Sequence, residues 1–331
     1  MRRILTLVLT FVLVLVLAPA LFARGTADVE FVRIATGGTG GNFYRLGAGI
    51  ASVWNDEIDG IVASTQSTDG SPHNAELLAN GEVEIAFMGA DISRDAYHNR
   101  GRFADEEPGR YEAINFITYL YPNPQMFLVM DWAADEIQSV RDIVGKRVSK
   151  GAIGSLGEVY FLETLNVLGI DPDDVIQEHT VHGAAIDQVR NRQIDVVMWP
   201  DAAGSASHME ILETGWAQAR SLDPEIIEHF TSGNWDINFE YTLPANTYRN
   251  QPDDINTFAA PIVLLARSDL DEELVYNLTR AIHENQPALV AVADLLARFM
   301  TVDTALNGRA VPLHPGAERY YREAGALAAA D

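Results

Sequence analysis

Cysteine is absent from all 331 residues. That excludes disulfides, cysteine-ligated zinc, iron–sulfur clusters and thiol nucleophiles, and with them the acylated cysteine of a bacterial lipoprotein. Basic residues are scarce, 23 Lys and Arg against 47 Asp and Glu, for a formal net charge of −24. Nucleic acid and anionic lipid both demand clustered cations, so neither is an expected partner. Long apolar runs are missing after residue 23, and so are low-complexity tracts. What is present is 47% hydrophobic and 21% charged residues, a globular composition in a chain long enough for about two domains.

The single long apolar run reads as an address. Arg2 and Arg3 precede an apolar stretch from Ile4 to Leu17, and Ala18-Pro19-Ala20 supplies a small-residue exit. Residues 1–23 therefore have the layout of a secretory signal peptide, with cleavage after Ala20, Ala23 or Ala27. An uncleaved anchor is the alternative, since residues 4–23 approach a spanning length; Pro19 and the small residues favour cleavage. Without Arg2 and Arg3 the exported chain carries 21 − 47 = −26, and its expected location is the periplasm.

Behind this segment, short β-branched runs alternate with helical patterns, the signature of α/β layers. Phe31 to Thr36 predicts a strand, Gly37-Gly38-Thr39-Gly40-Gly41 a turn, and Asn42 to about Trp54 a helix. Ile61 to Thr68 predicts the next strand, Ser71 with Pro72 the N-cap and first position of the next helix, and Glu84 to Met88 a third strand. The pattern then recurs. Gly37 corresponds to Gly151 at an offset of 114, and Asn80 within LLANGEVEIAFM corresponds to Asn191 within QVRNRQIDVVMW at an offset of 111. Two correspondences at nearly equal offsets predict two lobes of similar topology. Tyr121-Pro122-Asn123-Pro124 lies between two strand-like runs and suits a crossover between them. Residues 28–122 with 226–331 are accordingly expected to form lobe 1 and residues 123–225 lobe 2. Past residue 225, helices are predicted at Asp271 to Asn285, Pro287 to Met300 and Pro315 to Ala330.

Glycine turns between a strand end and a helix start leave free amides at the positive end of a helix dipole, a ready anion site. Gly37 to Gly41 offers one, with Thr39 and Asn42 as side-chain partners. Gly154, Ser155 and Gly157 offer another from the second lobe. Rival readings fail on spacing. Phe43 stands where a dinucleotide fingerprint needs glycine, no Gly-Lys-Ser/Thr follows either loop, and Ile153 breaks the nucleophile elbow around Ser155. His179 and His182, three apart in a stretch read as extended, point to opposite faces and make a poor metal pair. Asp171, Asp173 and Asp174 form a solvated acidic loop, because Val175 occupies a calcium-ligand position. Trp199 and Met198 read as the end of a buried strand. Asp91 is either a cap for the helix beginning at Ile92 or a ligand contact. No acid–base pair or triad assembles from sequence proximity, so an enzyme is not expected, nor any cofactor or metal.

The stretches IATGGTGGNFYRLGAGIA, STQSTDGSPHNAELLANGEVEIAFMGAD and KRVSKGAIGSLGEV, with the later LPANTY and the segment Asp269 to Asn285, resemble the TAXI family of extracytoplasmic solute receptors of tripartite TRAP transporters. The resemblance implies a type II periplasmic binding protein fold, two α/β lobes around a ligand cleft, closing on a solute. It implies TRAP membrane subunits as partners and a small organic anion, glutamate or a related carboxylate, as ligand. Matched position by position, it places the ligand loop at Gly38, Thr39, Gly40, Gly41, Asn42 and Tyr44. A second wall falls at Thr68, Gly70, Ser71 and Asn74, and Asp91 forms a third. The opposite lobe contributes Gly154, Ser155 and Glu158. The sequence departs from the family at Gly89, Arg45, Leu156-Gly157 and Trp199-Pro200-Asp201, close to the expected pocket, and Asp201 joins the candidate residues. A periplasmic sensor feeding a signalling system is the alternative use of the same fold.

Overall fold

In the computed structural model, which describes residues 29–180, 182–292, 294 and 299–327, the β-branched runs become strands of two sheets. The expected signal peptide lies outside the described residues. The first unit is β1 (Glu30–Ala35), α1 (Asn42–Glu57), β2 (Ile61–Gln66), α2 (Ser71–Ala79), β3 (Ile85–Gly89) and α3 (Ala90–Tyr97). The long β4 (Ile114–Pro124) leads to β5 (Leu128–Met130). Then come β6 (Arg147–Ser149), α4 (Leu156–Leu168), β7 (Ile176–Glu178), α5 (His182–Arg190), β8 (Val196–Val197), α6 (Ala206–Glu213), β9 (Ala217–Ala219) and α7 (Pro224–Phe230). The chain continues through β10 (Phe239–Leu243), β11 (Ile255–Arg267), α8 (Glu272–Glu284), α9 (Gln286–Val292) and α10 (Pro315–Glu323).

The sheets repeat one topology. The first runs β2-β1-β3-β11-β10 and the second β7-β6-β8-β5-β9. In each, three parallel strands are followed by an antiparallel one, β11 against β3 or β5 against β8. The internal correspondence seen in the sequence is thus a correspondence of strand order. Tyr121-Pro122-Asn123-Pro124 does not separate two strands; it lies inside β4, which pairs antiparallel with β11 from Ile114↔Arg267 to Pro124↔Ala259. Proline is accommodated because the end of β4 that carries Pro122 and Pro124 pairs only with β11, and the register shifts between Ile262 and Val263 next to the Pro122↔Pro261 pair. Beyond Pro124, Gln125 donates its amide to Phe258 O at 3.0 Å and bridges to Pro200 of the second lobe.

Burial follows the sheets. Ile34, Leu46, Ile50, Trp54, Phe87, Leu278 and Tyr321 share one core beneath the first sheet, and Trp54 Nε1 donates to Leu278 O at 3.0 Å. A second core is continuous between the lobes: Met88 and Val263 belong to it together with Phe127, Tyr160, Phe230 and Phe258. Phe230 stacks on Phe258 at 4.3 Å, and Tyr160 meets the same ring edge-on at 5.1 Å. Several helix boundaries differ from expectation. The N-cap of α2 is Gly70, one residue before the expected Ser71, the helix expected at Pro287 to Met300 is described as α9 over Gln286–Val292, and the helix expected at Pro315 to Ala330 ends at Glu323. Among the described residues no helix is long and apolar enough to cross a membrane.

Candidate functional site

Helices α1, α2 and α4 begin at one opening between the lobes, each where a turn leaves the carboxyl end of a strand. The cleft has an empty volume of about 680 Å³, including the part open to solvent. One wall is Gly37, Gly38, Gly41, Asn42 and Phe43, followed by Thr68, Asp69, Gly70 and Ser71. The other is Gly151, Ala152, Ser155, Leu156, Gly157, Thr180, His182, Trp199, Pro200 and Asp201, and Asn123 reaches it from β4. No side chain caps α1 or α2, so their first-turn amides stay available; in α4 the Ser155 hydroxyl accepts from Glu158 N.

Two glycines have conformational or spatial reasons to be there. Gly70 adopts φ 101°, ψ −157°, a region closed to side chains. A Cβ on Gly157 would sit 2.5 Å from Lys150 O and 2.9 Å from Trp199 Cβ, so the start of α4 packs directly on β6 and the strand end at Trp199.

The two walls touch. Asn42 Nδ2 donates to Asp201 Oδ1 at 2.9 Å, and a Cβ on Gly41 would lie 2.7 Å from His182 Nε2. Asp201 Oδ1 also accepts from Ala202 N at 2.9 Å, and Asp201 Oδ2 accepts from Ser207 Oγ at 3.3 Å. His182 Nδ1 is 3.2 Å from the same Ser207 hydroxyl.

Of the residues expected at the site, Gly37, Gly38, Gly41, Asn42, Thr68, Gly70, Ser71, Ser155, Gly157 and Asp201 line this cleft. The others do not. Thr39 and Gly40 are exposed in the same loop, and Tyr44 is half-buried on the first turn of α1. Asn74 is fully buried and spent on the fold: its Nδ2 donates to Thr36 O and Phe87 O, both at 2.7 Å, and its Oδ1 accepts from Thr68 Oγ1 at 2.6 Å. Asp91 neither caps through a preceding position nor reaches the cleft. Its carboxylate accepts Ile92 N at 2.8 Å and Tyr160 Oη at 2.6 Å, joining α3 to α4 across the lobes. Burial holds its carboxyl above the ordinary range against those hydrogen bonds. Gly154 gives its amide to Glu158, whose carboxylate also pairs with the fully buried Lys150. Burial pushes Glu158 up, but the Lys150 ammonium and the Gly154 amide outweigh it and keep the carboxyl below its usual value.

Sequence reasoning missed Asn123, Trp199 and His182 as lining residues. Asn123 sits between two prolines and carried no pattern pointing inward. Trp199 does end a buried strand region, as expected, yet it also walls the cleft. His182 opens helix α5 instead of lying in an extended stretch. Among the described residues no cluster of three or more His, Asp or Glu suits a metal ion. Among the described residues no Lys or Arg lines the cleft.

This architecture is found in solved periplasmic binding proteins, whose two-lobed fold the chain shares. The MatC protein of Rhodopseudomonas palustris, solved with bound malate, is 13% identical over 81% of this chain and 89% of that one, with a TM-score of 0.52. A protein from Bordetella bronchiseptica RB50 is 15% identical over 91% of both chains, with a TM-score of 0.51. The alkanesulfonate-binding protein SsuA from Xanthomonas axonopodis pv. citri, bound to MOPS, is 13% identical over 89% of this chain and 84% of that one, with a TM-score of 0.45. The model of the NMT1-like family matches residues 34–325, a span that takes in both sheets and every wall of the cleft, and the chain belongs to that family.

Proposed function

We propose that this chain is an extracytoplasmic solute receptor that holds a small carboxylate-bearing solute between its lobes and hands it to a membrane permease. The motifs that resemble the TAXI family point to the membrane subunits of a TRAP transporter as that permease. Glutamate-like amino acids and simple carboxylates are the two ligand classes the sequence favours.

The observation that carries this reading is the convergence of α1, α2 and α4, all N-terminus first, on a cleft with no Lys or Arg in its lining. Amide donors and helix dipoles offer a carboxylate what a cation would otherwise supply. Charge at a distance matters little by comparison, since the surplus acid lies on a screened surface. The malate bound to the R. palustris relative is a solute of this chemistry in a related fold. A solute touching both walls favours the state in which they meet, and that state is what a permease would recognise. Micromolar affinity requires about 8 kcal/mol, within reach of amide and hydroxyl contacts in a desolvated cleft.

Calorimetry against a panel of amino acids, mono- and dicarboxylates, sugars and cations tests the ligand. Binding of at least one carboxylate is expected, and binding of sugars or cations alone would reject the reading. Sodium-driven uptake by vesicles holding TRAP membrane subunits, dependent on this receptor, tests the partner; stimulation only of an ATP-driven permease would reject it.

A further inference from the structure

Two polar atoms at the cleft lack a partner. Asn123 and Trp199 both line it and are 4% and 3% exposed, and neither Asn123 Oδ1 nor Trp199 Nε1 makes a hydrogen bond within the protein. Buried polar groups left unpaired are costly, so these atoms state what a guest has to bring: a donor for the Asn123 carbonyl and an acceptor for the indole N–H.

Both acceptor side chains, Asn123 and Asp201, line the cleft, and Asp201 donates its amide to the carbonyl of Pro124, next to Asn123 in the chain, at 3.2 Å. Asp201 is 5% exposed and its carboxylate already accepts from Asn42, Ala202 and Ser207, three of about four positions its two oxygens offer. The donor side is the set of helix starts. A first carboxylate on the guest finds amides there. A second would meet the charge of Asp201, which among the described lining residues faces the imidazole of His182, its Nδ1 3.7 Å from Asp201 Oδ2, and no Lys or Arg. The remaining walls, Phe43, Leu156, Pro200 and the Trp199 ring, are apolar.

We propose that the cleft selects a zwitterion with one carboxylate, one ammonium group and an apolar remainder, a neutral aliphatic or aromatic amino acid, in preference to glutamate or a dicarboxylate. This rests on the reading that the helix starts hold a carboxylate. Asn123 and Asp201 are then the specificity-determining residues for the amine.

The test is calorimetry on the full exported chain, freed of bound solute, with leucine, phenylalanine, 4-methylpentanoate, glutamate and malate. Leucine or phenylalanine should bind at least about a hundredfold more tightly than 4-methylpentanoate, because a site built around a hydrogen-bonding group rejects the analogue lacking it. Glutamate and malate should be weaker by at least about a hundredfold, the second carboxylate being buried without a partner. In Asp201→Asn and Asn123→Leu the ratio of leucine to 4-methylpentanoate affinity should fall towards one. That ratio is taken within one protein and is independent of any loss of stability. Glutamate or malate binding as tightly as leucine, or 4-methylpentanoate matching it, overturns the zwitterion while leaving the carboxylate cleft intact. No binding by any of the five overturns both.

Discussion

Asn74 packs against the back of the cleft wall and spends every polar atom on the fold. Its amide ties the carbonyls of Thr36, just past β1, and Phe87, in the middle of β3, to the Thr68 hydroxyl. Alanine there would take the side-chain donor from the Phe87 carbonyl, while Thr36 O and the Thr68 hydroxyl keep each other at 2.9 Å. Asn74→Ala is therefore expected to lose about 1–3 kcal/mol in urea unfolding, the cost of an unmet buried group and the space left behind. A loss below about 1 kcal/mol would show that the network contributes little. Asp91 makes the same point in a charged residue. The sequence offers it as a cap or a ligand contact, but the Tyr160 hydroxyl 2.6 Å away fixes it at the junction of the lobes. Glu158 is likewise taken, by Lys150 and the Gly154 amide, before any solute arrives.

Among the helices that open on the cleft, α4 is held closely at its start. Gly157 lies where any Cβ would run into the Lys150 carbonyl, and backbone cannot swing aside as a flexible side chain can. Gly157→Ala should push the first turn of α4 away from β6, at about 1–3 kcal/mol of stability, a common cost of overpacking. The same displacement spoils the donors facing the cleft. Ligand affinity is expected to fall at least about tenfold, or 1.4 kcal/mol, by calorimetry. Unchanged affinity would mean that α4 does not hold the solute. The duplicated topology is visible at this scale too. Gly81 and Arg192, 111 residues apart, close the turns that precede β3 and β8, and both have positive φ, 71° and 57°. The turn demands the left-handed region in both lobes, and the second lobe meets it without glycine.

At the scale of the molecule two properties depend on groups far apart in the chain. The first is pH response. His208, stacked on Trp199 at 5.8 Å, is fully buried, and burial depresses its pKa to about 4 despite the nearby Asp201. Burial does the same to His283, also to about 4. Unfolded histidine titrates near 6.5, so between pH 6.5 and 4 the unfolded chain binds more protons and stability falls as pH falls. By pH 5 each histidine removes about 2 kcal/mol. Asp95 opposes this: burial and the Asp91 carboxylate raise it to about 6, so its contribution is full below 3.8 and lost as pH rises through 6. His208→Phe keeps an aromatic partner for Trp199 and isolates the histidine contribution. The stability lost between pH 7 and pH 5, read from denaturant midpoints, should shrink by about 2 kcal/mol relative to the parent protein. An unaltered pH dependence would refute it.

The second property is the meeting of the lobes. The Asn42–Asp201 hydrogen bond, at 2.9 Å, joins residues 159 apart in sequence across the cleft. Asn42→Ala removes it, at about 1 kcal/mol for a single net hydrogen bond, which corresponds to about fivefold in an equilibrium constant. A larger radius of gyration in small-angle scattering of the unliganded protein is expected, with affinity for the solute reduced by a similar factor. An identical scattering profile and affinity would show that this contact does not bias the lobes.

The sequence by itself determined the local architecture. β-branched runs, glycine turns and the Ser71-Pro72 helix start are legible because backbone preference and hydrophobic period act over a few residues. The recurrence of those signals at offsets of 111 and 114 foretold two lobes with the same strand order. Two of the three turns that open on the cleft were marked by their glycines. Only the tertiary structure decided which side chains face the cleft. Asn42 meets Asp201, Gly41 meets His182, and Asn123 comes in from a crossing strand, because β4 and β11 bring the lobes together. Asn74, Asp91 and Glu158 turned away for the converse reason. Their partners Phe87, Tyr160 and Lys150 became neighbours only through packing, and a buried polar group goes to whichever partner the fold sets beside it.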